Sequence, residues 1–156
     1  MPNRKLIPGV IKDQQLVTLP PDATARDAAV MMAERRVAAI LVTEGRTLKG
    51  IVTERDLTVR VLAAGRDPAA TRLADVMTAR PDTLGPDAHA LEALELMERR
   101  HYRHLPVTAN GPDGGEVLGI LSIRDLFAVV RAHLEDEIRD REEFIFGSNY
   151  SVGAAP

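Results

Sequence analysis

Cysteine is absent from the 156-residue sequence, and so is any long apolar run. Without cysteine there can be no disulfide framework, no thiol nucleophile and no thiolate metal site. The apolar segment Val37–Val42 falls far short of the ~20 residues that a bilayer span requires. The first residues also lack an apolar stretch of the kind found in a secretory signal. These absences predict a cytoplasmic protein with no membrane partner.

A surplus of basic charge is lacking as well. The formal net charge is −3 and the sequence pI is ≈ 5.8, whereas dedicated nucleic-acid-binding domains usually have a pI above ~9. We therefore expect no nucleic-acid partner. What the sequence does contain is 45% hydrophobic residues, which supply enough apolar surface to offset chain entropy and to form a folded core.

An internal repeat is the most informative feature of the sequence. Residues 17–43 align with residues 82–108 at an offset of 65, without a gap. Residues 50–57 then match residues 119–126 at an offset of 69. The second copy has four extra residues between these blocks, in a segment of turn composition where insertions are tolerated.

Each copy predicts the order β-α-β-β-α and hence an α/β (α+β) fold. The first helix of copy one places Ala25, Ala28 and Met32 on one apolar stripe. Thr24 followed by Asp27 predicts a capping box at its start. Two units of ~60 residues would each be marginally stable alone, so we expect them to pack sheet to sheet with pseudo-twofold symmetry. Arg72–Met77 is expected to lead into the second copy.

A short motif, Gly-apolar-apolar-Thr/Ser-x-Arg-Asp, ends the second strand of each copy. It comprises Thr53, Arg55 and Asp56 in the first copy and Ser122, Arg124 and Asp125 in the second. The hydroxyl lies at a helix start, where free backbone N–H groups attract anions. The carboxylate can accept hydrogen bonds from both hydroxyls of a ribose, and the arginine can approach a phosphate. The motif therefore suits a nucleotide.

The same residues allow a second interpretation. Ser/Thr-x-x-Asp at a helix start is also a variant of the capping box and needs no ligand. The two roles are compatible, because a hydroxyl can cap a helix and also face a phosphate.

The doubled order and the doubled motif resemble a tandem pair of cystathionine-β-synthase-type (CBS) domains, of the stand-alone bacterial type. The resemblance covers residues 10–134 and includes the lead-in Asp75–Thr78 and the strand Arg103–Val107. We expect one CBS domain at 10–72, a second at 73–134, and a helical and aromatic C-terminal extension at 135–156.

The resemblance implies an adenosine-containing ligand in each of two clefts between the paired domains. The candidates are AMP, ADP or ATP, with NAD(H) or S-adenosylmethionine as further options. No catalytic cofactor and no metal are implied. The implied ligand-binding residues are Thr53, Arg55, Asp56, Ser122, Arg124, Asp125, Arg103, His104, Pro106, Thr18 and Thr83.

The two clefts are expected to be unequal. The second copy carries Arg103 and His104 before its strand, where the first copy has Ala38 and Ala39. In CBS pairs, basic residues at this place contact phosphates, so the resemblance implies extra phosphate charge near Arg103 and His104. A solvated surface role for these charges is the alternative. His101 and His104 have a metal-ligand spacing, but no third ligand is evident.

The C-terminal extension allows two interpretations. Leu134, Ile138 and Ile145 can continue the last helix, with alternating charges on its solvated face. Phe144 and Phe146 then stand in a polar tail, where they either pack back on their own chain or clamp a partner subunit.

Two functions are consistent with these features. The first is a regulatory adenine-nucleotide sensor, a homodimer that acts on an unidentified effector protein through conformational or oligomeric change. The alternative is an oligomeric adaptor with vestigial clefts. An enzyme is not expected, because the sequence has no P-loop, no nucleophile arrangement and no evident cluster of metal-binding carboxylates.

Overall fold

The computed structural model describes residues 4–147, which form two α/β units that follow the sequence repeat. Unit 1 consists of β1 (Thr18–Leu19), α1 (Ala25–Arg35), β2 (Ala39–Glu44), β3 (Thr47–Thr53) and α2 (Glu54–Asp56), which continues as a π-helical stretch, Leu57–Leu62. A connecting segment holds α3 (Leu73–Val76) and β4 (Thr78–Ala79). Unit 2 consists of α4 (Ala90–Arg100), β5 (His104–Thr108), β6 (Val117–Ser122) and α5 (Ile123–Gly147). The predicted α/β class is confirmed.

Each unit is built on an antiparallel strand pair with a parallel neighbour. In unit 1, β1 runs parallel to β2, β2 pairs antiparallel with β3, and β4 pairs antiparallel with β3. In unit 2, β5 and β6 form the antiparallel pair, and Leu84 makes a single parallel bridge to Val107. The short extended segment predicted at the start of the second copy is therefore only a bridge.

The first helix of each unit ends in the same way but begins differently. Arg36 and His101, at equivalent repeat positions, both adopt the left-handed conformation that ends α1 and α4. At the start of α1, the predicted capping box is present: Asp27 N donates to Thr24 Oγ1 at 3.1 Å, and Thr24 N donates to Asp27 Oδ2 at 2.8 Å. His89 replaces the threonine in α4 and makes no side-chain cap.

Each unit is preceded by a lead-in segment, Leu6–Val10 before unit 1 and Arg72–Met77 before unit 2. Each lead-in segment packs on the other unit. Leu73 and Val76 are buried in the core of unit 1, and Leu73 N donates to Ala23 O at 2.8 Å. Leu6, near the N-terminus, is fully buried in the core of unit 2 and donates from its backbone N to Ala88 O at 2.8 Å. The segment Arg72–Met77, expected as a lead-in to the second copy, thus completes the first. The exchange ties the two units into one folded body.

The two sheets meet face to face through a small apolar cluster. Its buried members come from both units: Ala39, Leu41, Ile51 and Val117. At its edge, Val117 N donates to Arg46 O at 3.0 Å, and the Arg46 guanidinium lies 2.7 Å from a Glu116 carboxylate oxygen. Burial of such apolar area contributes ~25 cal/mol per Å² and favours the association of the two units.

The last helix is much longer than its counterpart in unit 1. Its N-terminal half packs on the core of unit 2 through Leu126, which is fully buried. Beyond residue 133, α5 extends away from both units, and every residue from Leu134 to Gly147 is exposed. Among residues 4–147, no helix combines the length and apolar character needed to cross a membrane.

Candidate functional site

Two clefts lie between the units, and each combines the helix-start motif of one unit with the pre-strand turn of the other. The small cleft, with a volume of ≈ 340 Å³, brings Thr53–Asp56 against His101–His104. The large cleft, ≈ 1530 Å³, brings Ser122–Asp125 against Arg36–Ala39. Ligand pockets commonly measure ~300–1,000 Å³, so the small cleft has the size of a ligand site and the large cleft is more open.

The motif in the small cleft forms a capping box at the start of α2. Asp56 Oδ2 accepts from Thr53 N at 2.8 Å and from Thr53 Oγ1 at 3.0 Å, and Asp56 N donates to Thr53 Oγ1 at 3.3 Å. The other carboxylate oxygen, Oδ1, lies 3.6 Å from Arg60 Nε. The Asp56 side chain is only 15% exposed. The cap therefore fixes the carboxylate at the cleft wall and uses one of its two oxygens.

The motif in the large cleft has the same geometry. Asp125 Oδ2 accepts from Ser122 N at 2.8 Å and from Ser122 Oγ at 2.7 Å. Within residues 4–147, the Oδ1 atom of Asp125 makes no hydrogen bond or ion pair. The capping interpretation is thus correct for both motifs, and it leaves an acceptor oxygen of Asp125 for a ligand hydroxyl.

A basic wall separates the two clefts. Arg55, Arg103 and His104 line both of them, whereas Arg124 lines only the large cleft. Arg103 immediately precedes β5, and His104 is its first residue. Both stand opposite Thr53 and Asp56 in the small cleft, and His104 also pairs across the sheet with Ser122 in the motif of its own unit. The residues predicted to give the clefts unequal charge therefore lie on the shared wall.

His104 is the most electrostatically perturbed group on this wall. Burial lowers the pKa of its imidazole below the ordinary value, since desolvation disfavours the charged form. The carboxylates of Glu54 and Asp125 oppose this shift, and the guanidinium groups of Arg103 and Arg124 add to it. A bound anion would favour the imidazolium form. Within the described part of the chain, no group of three or more potential metal ligands includes His101 or His104.

Three of the residues expected at the ligand do not line either cleft. Thr18 is half-buried in β1. Thr83 is buried, and its Oγ1 donates to Gly111 O at 2.6 Å, which anchors the inserted turn of unit 2. Pro106 is buried in β5 and pairs across the sheet with Ile120.

Sequence analysis did not single out several side chains that line the clefts. Tyr102 and Asp82 close the small cleft, and burial together with the Asp82 carboxylate raises the pKa of the Tyr102 hydroxyl. Arg36 lines the large cleft from the repeat position equivalent to His101. The repeat offset was the signal that could have identified Arg36 and Tyr102, because it aligns the two pre-strand turns.

The family pattern of the CBS domain matches the chain twice, at residues 9–63 and 73–132. The Arabidopsis thaliana CBS domain-containing protein CBSCBSPB3 is 44% identical over 108 residues. That match includes 69% of this chain and 19% of the relative. The chain therefore spans about a fifth of the length of this curated relative.

Solved structures share both fold and sequence with the chain. A putative signal-transduction protein with CBS domains from Burkholderia ambifaria MC40-6 is 34% identical with a TM-score of 0.73, covering 81% of this chain and 93% of that one. The CBS domain protein PAE2072 from Pyrobaculum aerophilum, complexed with AMP, is 31% identical with a TM-score of 0.64, covering 72% and 84%. A hexameric CBS-CP12 protein from bloom-forming cyanobacteria is 28% identical with a TM-score of 0.65, covering 92% and 82%. This chain belongs to the CBS domain family and carries the domain as a tandem pair.

Proposed function

We propose that the chain is a regulatory module that binds adenine nucleotides in the clefts between its two CBS domains. The observation that carries the proposal is the oriented aspartate in each cleft, held by its own helix cap beside a basic wall. The complex of the Pyrobaculum relative with AMP supports the choice of ligand. AMP, ADP and ATP are the first candidates, and NAD(H) and S-adenosylmethionine are the others.

The proposed roles follow from hydrogen-bonding capacity. A carboxylate oxygen of Asp56 or Asp125 accepts from the ribose hydroxyls, because an ionised carboxylate is an acceptor only. Arg55, Arg103 and His104 face the phosphates from the shared wall, and Arg124 does so in the large cleft. Charge-assisted hydrogen bonds of this kind are about twice as strong as neutral ones.

The chain acts through binding rather than through catalysis in this proposal. A ligand shifts the equilibrium between two arrangements of the units, or of two subunits, only as far as its affinities for the two states differ. We propose a homodimer in the cytoplasm whose output reaches an effector protein.

The second candidate is an oligomeric adaptor with vestigial clefts. Two observations favour it: both aspartates already serve as helix caps, and α5 exposes its entire C-terminal half. An adaptor gains no stability from nucleotides, whereas a ligand at 100 times its Kd adds ~2.7 kcal/mol to the free energy of unfolding. Thermal unfolding with each nucleotide therefore separates the two functions.

The direct test is isothermal titration calorimetry with AMP, ADP, ATP, NADH and S-adenosylmethionine. Asp56→Asn and Asp125→Asn keep an acceptor for the cap and remove the charge, and we expect each to weaken binding in its own cleft by about tenfold or more. Asp27→Asn is the matched control, because Asp27 forms the same capping box on α1 and lines neither cleft. Unchanged affinity in both cleft variants, or no binding of any nucleotide below millimolar concentration, would contradict the proposal.

A further inference from the structure

Arg60 connects the motif of the small cleft to the lead-in segment that precedes unit 2. Its Nη1 donates to Val76 O at 2.9 Å and to Met77 O at 3.0 Å. Its Nε lies 3.6 Å from Asp56 Oδ1, the carboxylate oxygen that the helix cap does not use. The last carbonyl groups of a helix lack partners within that helix, and a basic side chain nearby can hydrogen-bond them. One guanidinium therefore caps the end of α3 and holds the motif carboxylate.

The lead-in segment continues directly into the wall of the small cleft. Thr78, the residue after Met77, lines that cleft and pairs in register with Ile51 of β3, which lines it too. The packing is close at Gly50, where an added Cβ atom would lie 2.5 Å from Met77 Sδ and 2.8 Å from Thr78 O. A shift of this segment would therefore change the wall of the cleft.

Unit 2 has no such connection. The repeat offset of 69 aligns Arg60 with Val129, which is apolar and packs against the core of unit 2. The helix cap restrains one oxygen of Asp125, whereas the cap and Arg60 together restrain both oxygens of Asp56. Restraint of a binding group before its ligand arrives lowers the ordering cost of binding. The small cleft thus holds its carboxylate in a more fixed position than the large cleft does.

We infer that Arg60 is a positioning residue of the small cleft, which orients Asp56 towards the hydroxyls of a ribose and couples their binding to the lead-in segment Arg72–Met77. The inference rests on the nucleotide binding proposed above and adds the residue that directs it in one cleft alone. A hydroxyl that donates to Asp56 Oδ1 meets an oxygen whose position depends on the contacts of Arg60 with the end of α3. Coupling is reciprocal by thermodynamic linkage, so a nucleotide in the small cleft restrains the lead-in segment in turn.

The first experiment compares AMP with 2′-deoxy-AMP by calorimetry on the full chain. The variant Asp125→Asn leaves the small cleft as the intact site, and Asp56→Asn leaves the large one. In Asp125→Asn we expect AMP to bind about tenfold more tightly, because the deoxy compound lacks one donor for the carboxylate. Adding Arg60→Gln, which keeps an amide donor and removes the charge, should reduce this preference to about threefold or less. Arg60→Lys restores the charge and should recover part of the preference.

The preference for the ribose hydroxyl separates positioning from general stability. If Arg60 only stabilises unit 1, Arg60→Gln weakens both nucleotides equally and leaves their ratio unchanged, which overturns the inference. In the Asp56→Asn background, Arg60→Gln should leave both affinities unchanged, and an equal loss of preference there would also overturn it. Arg66→Gln is the control, because Arg66 is exposed and lines neither cleft.

The wild-type chain distinguishes failure of this inference from failure of the proposed function. No binding of AMP to the wild type at millimolar concentration contradicts nucleotide binding itself, and the inference falls with it. Binding of AMP to the wild type, with the same preference over 2′-deoxy-AMP in the Arg60→Gln variant, overturns the inference alone.

The second experiment measures the coupling by amide hydrogen exchange of residues 77–80, in which Arg80 N donates to Lys49 O at 3.1 Å. AMP should slow exchange in this stretch of the Asp125→Asn variant. Adding Arg60→Gln should remove at least about half of that protection, and saturating AMP excludes weaker affinity as the cause. Equal protection in the presence and absence of Arg60→Gln, or no protection by AMP in either, would overturn the coupling.

Discussion

Units 1 and 2 share a motif and a chain order, yet they enclose clefts of ≈ 340 Å³ and ≈ 1530 Å³. The pre-strand turns of the two units also differ in side-chain volume. Tyr102 and Arg103 of unit 2 line both clefts, whereas the equivalent repeat positions of unit 1 hold the smaller Val37 and Ala38. The duplicated motif is therefore combined with turns that have diverged.

The units also differ in how the edge of each sheet is completed. In unit 1, the backbone of β4 pairs with β3. In unit 2, the side-chain amide of Gln14 takes this place: Ile120 N donates to Gln14 Oε1 at 2.8 Å, and Gln14 Nε2 donates to Ile120 O at 2.9 Å. Both arrangements provide hydrogen-bond partners for backbone N–H and C=O groups that would otherwise be unpaired at the edge of the strand. A duplicated fold thus preserves the hydrogen bonds while the segments that supply them diverge.

The largest expected effect is on the free energy of unfolding, when the packing of a lead-in segment on the other unit is weakened. Leu73→Ala and Leu6→Ala each truncate a fully buried side chain and should lower the free energy of unfolding by ~2–5 kcal/mol. Amide hydrogen exchange shows where the loss falls. We expect Leu73→Ala to expose α1 and Leu6→Ala to expose α4, and the reverse pattern would mean that each lead-in supports its own unit.

The next largest effect should be on nucleotide affinity, when a positive charge that lines both clefts is removed. Arg103→Ala removes a guanidinium from both clefts, and a hydrogen bond to a charged group contributes ~1.5–3 kcal/mol. We expect about tenfold weaker binding of AMP and ATP, with the affinity for adenosine unchanged because it has no phosphate. Arg99→Ala serves as the control, since Arg99 is exposed nearby and lines neither cleft. Equal losses for adenosine and AMP would show that Arg103 acts through packing instead.

The unequal helix starts allow a gain of stability. His89→Thr would give α4 the capping threonine that α1 already has, with Glu92 at the third helical position. The substitution also removes His89 Nδ1, a buried atom without a hydrogen-bond partner in the described structure. We expect the free energy of unfolding to rise by ~1 kcal/mol, measured by urea denaturation. Thr24→Ala should act in the opposite direction, and a loss of stability in His89→Thr would refute the capping argument.

The smallest expected effect is a pH dependence centred on the shared wall. Burial lowers the pKa of His104 in the folded protein, so below the unfolded value of about 6.5 the unfolded state binds more protons. Stability is then complete above pH ~6.5 and falls as the pH decreases below it. The groups that face His104 are Glu54, Asp125, Arg103 and Arg124. Urea denaturation of His104→Gln between pH 5 and 8 should show a smaller decrease than wild type, and an identical pH profile would exclude His104 as its source.

The local features of the fold were predictable because they depend on residues close together in the chain. The capping box of Thr24 and Asp27 lies within four residues and was predicted correctly. The helix expected to start at the hydroxyl of the Thr53 motif was also found, although its continuation after Asp56 is π-helical rather than α-helical. The length of α5 was only partly predicted, because its last residues have helical spacing but no buried neighbours to confirm it.

The candidate site was harder to predict than the fold. The motif aspartates could be identified because duplication repeats them, and the structure places both at a cleft wall. The partners of each motif could not be assigned to a cleft, because Arg103 lies beside Asp56 only after the two units have packed together. Thr83 was expected at the ligand, yet its hydroxyl meets Gly111 O across 28 residues of sequence. A single sequence carries no signal for that contact.

The sequence alone determined the repeat, the order of helices and strands, and the chemical groups of the doubled motif, since these follow from residue identity and short-range spacing. The tertiary structure decided which lead-in completes which unit, which turn faces which motif, and how wide each cleft is. The physical reason is that these properties depend on burial and side-chain volume between segments distant in sequence, and such contacts exist only once the two sheets have packed face to face.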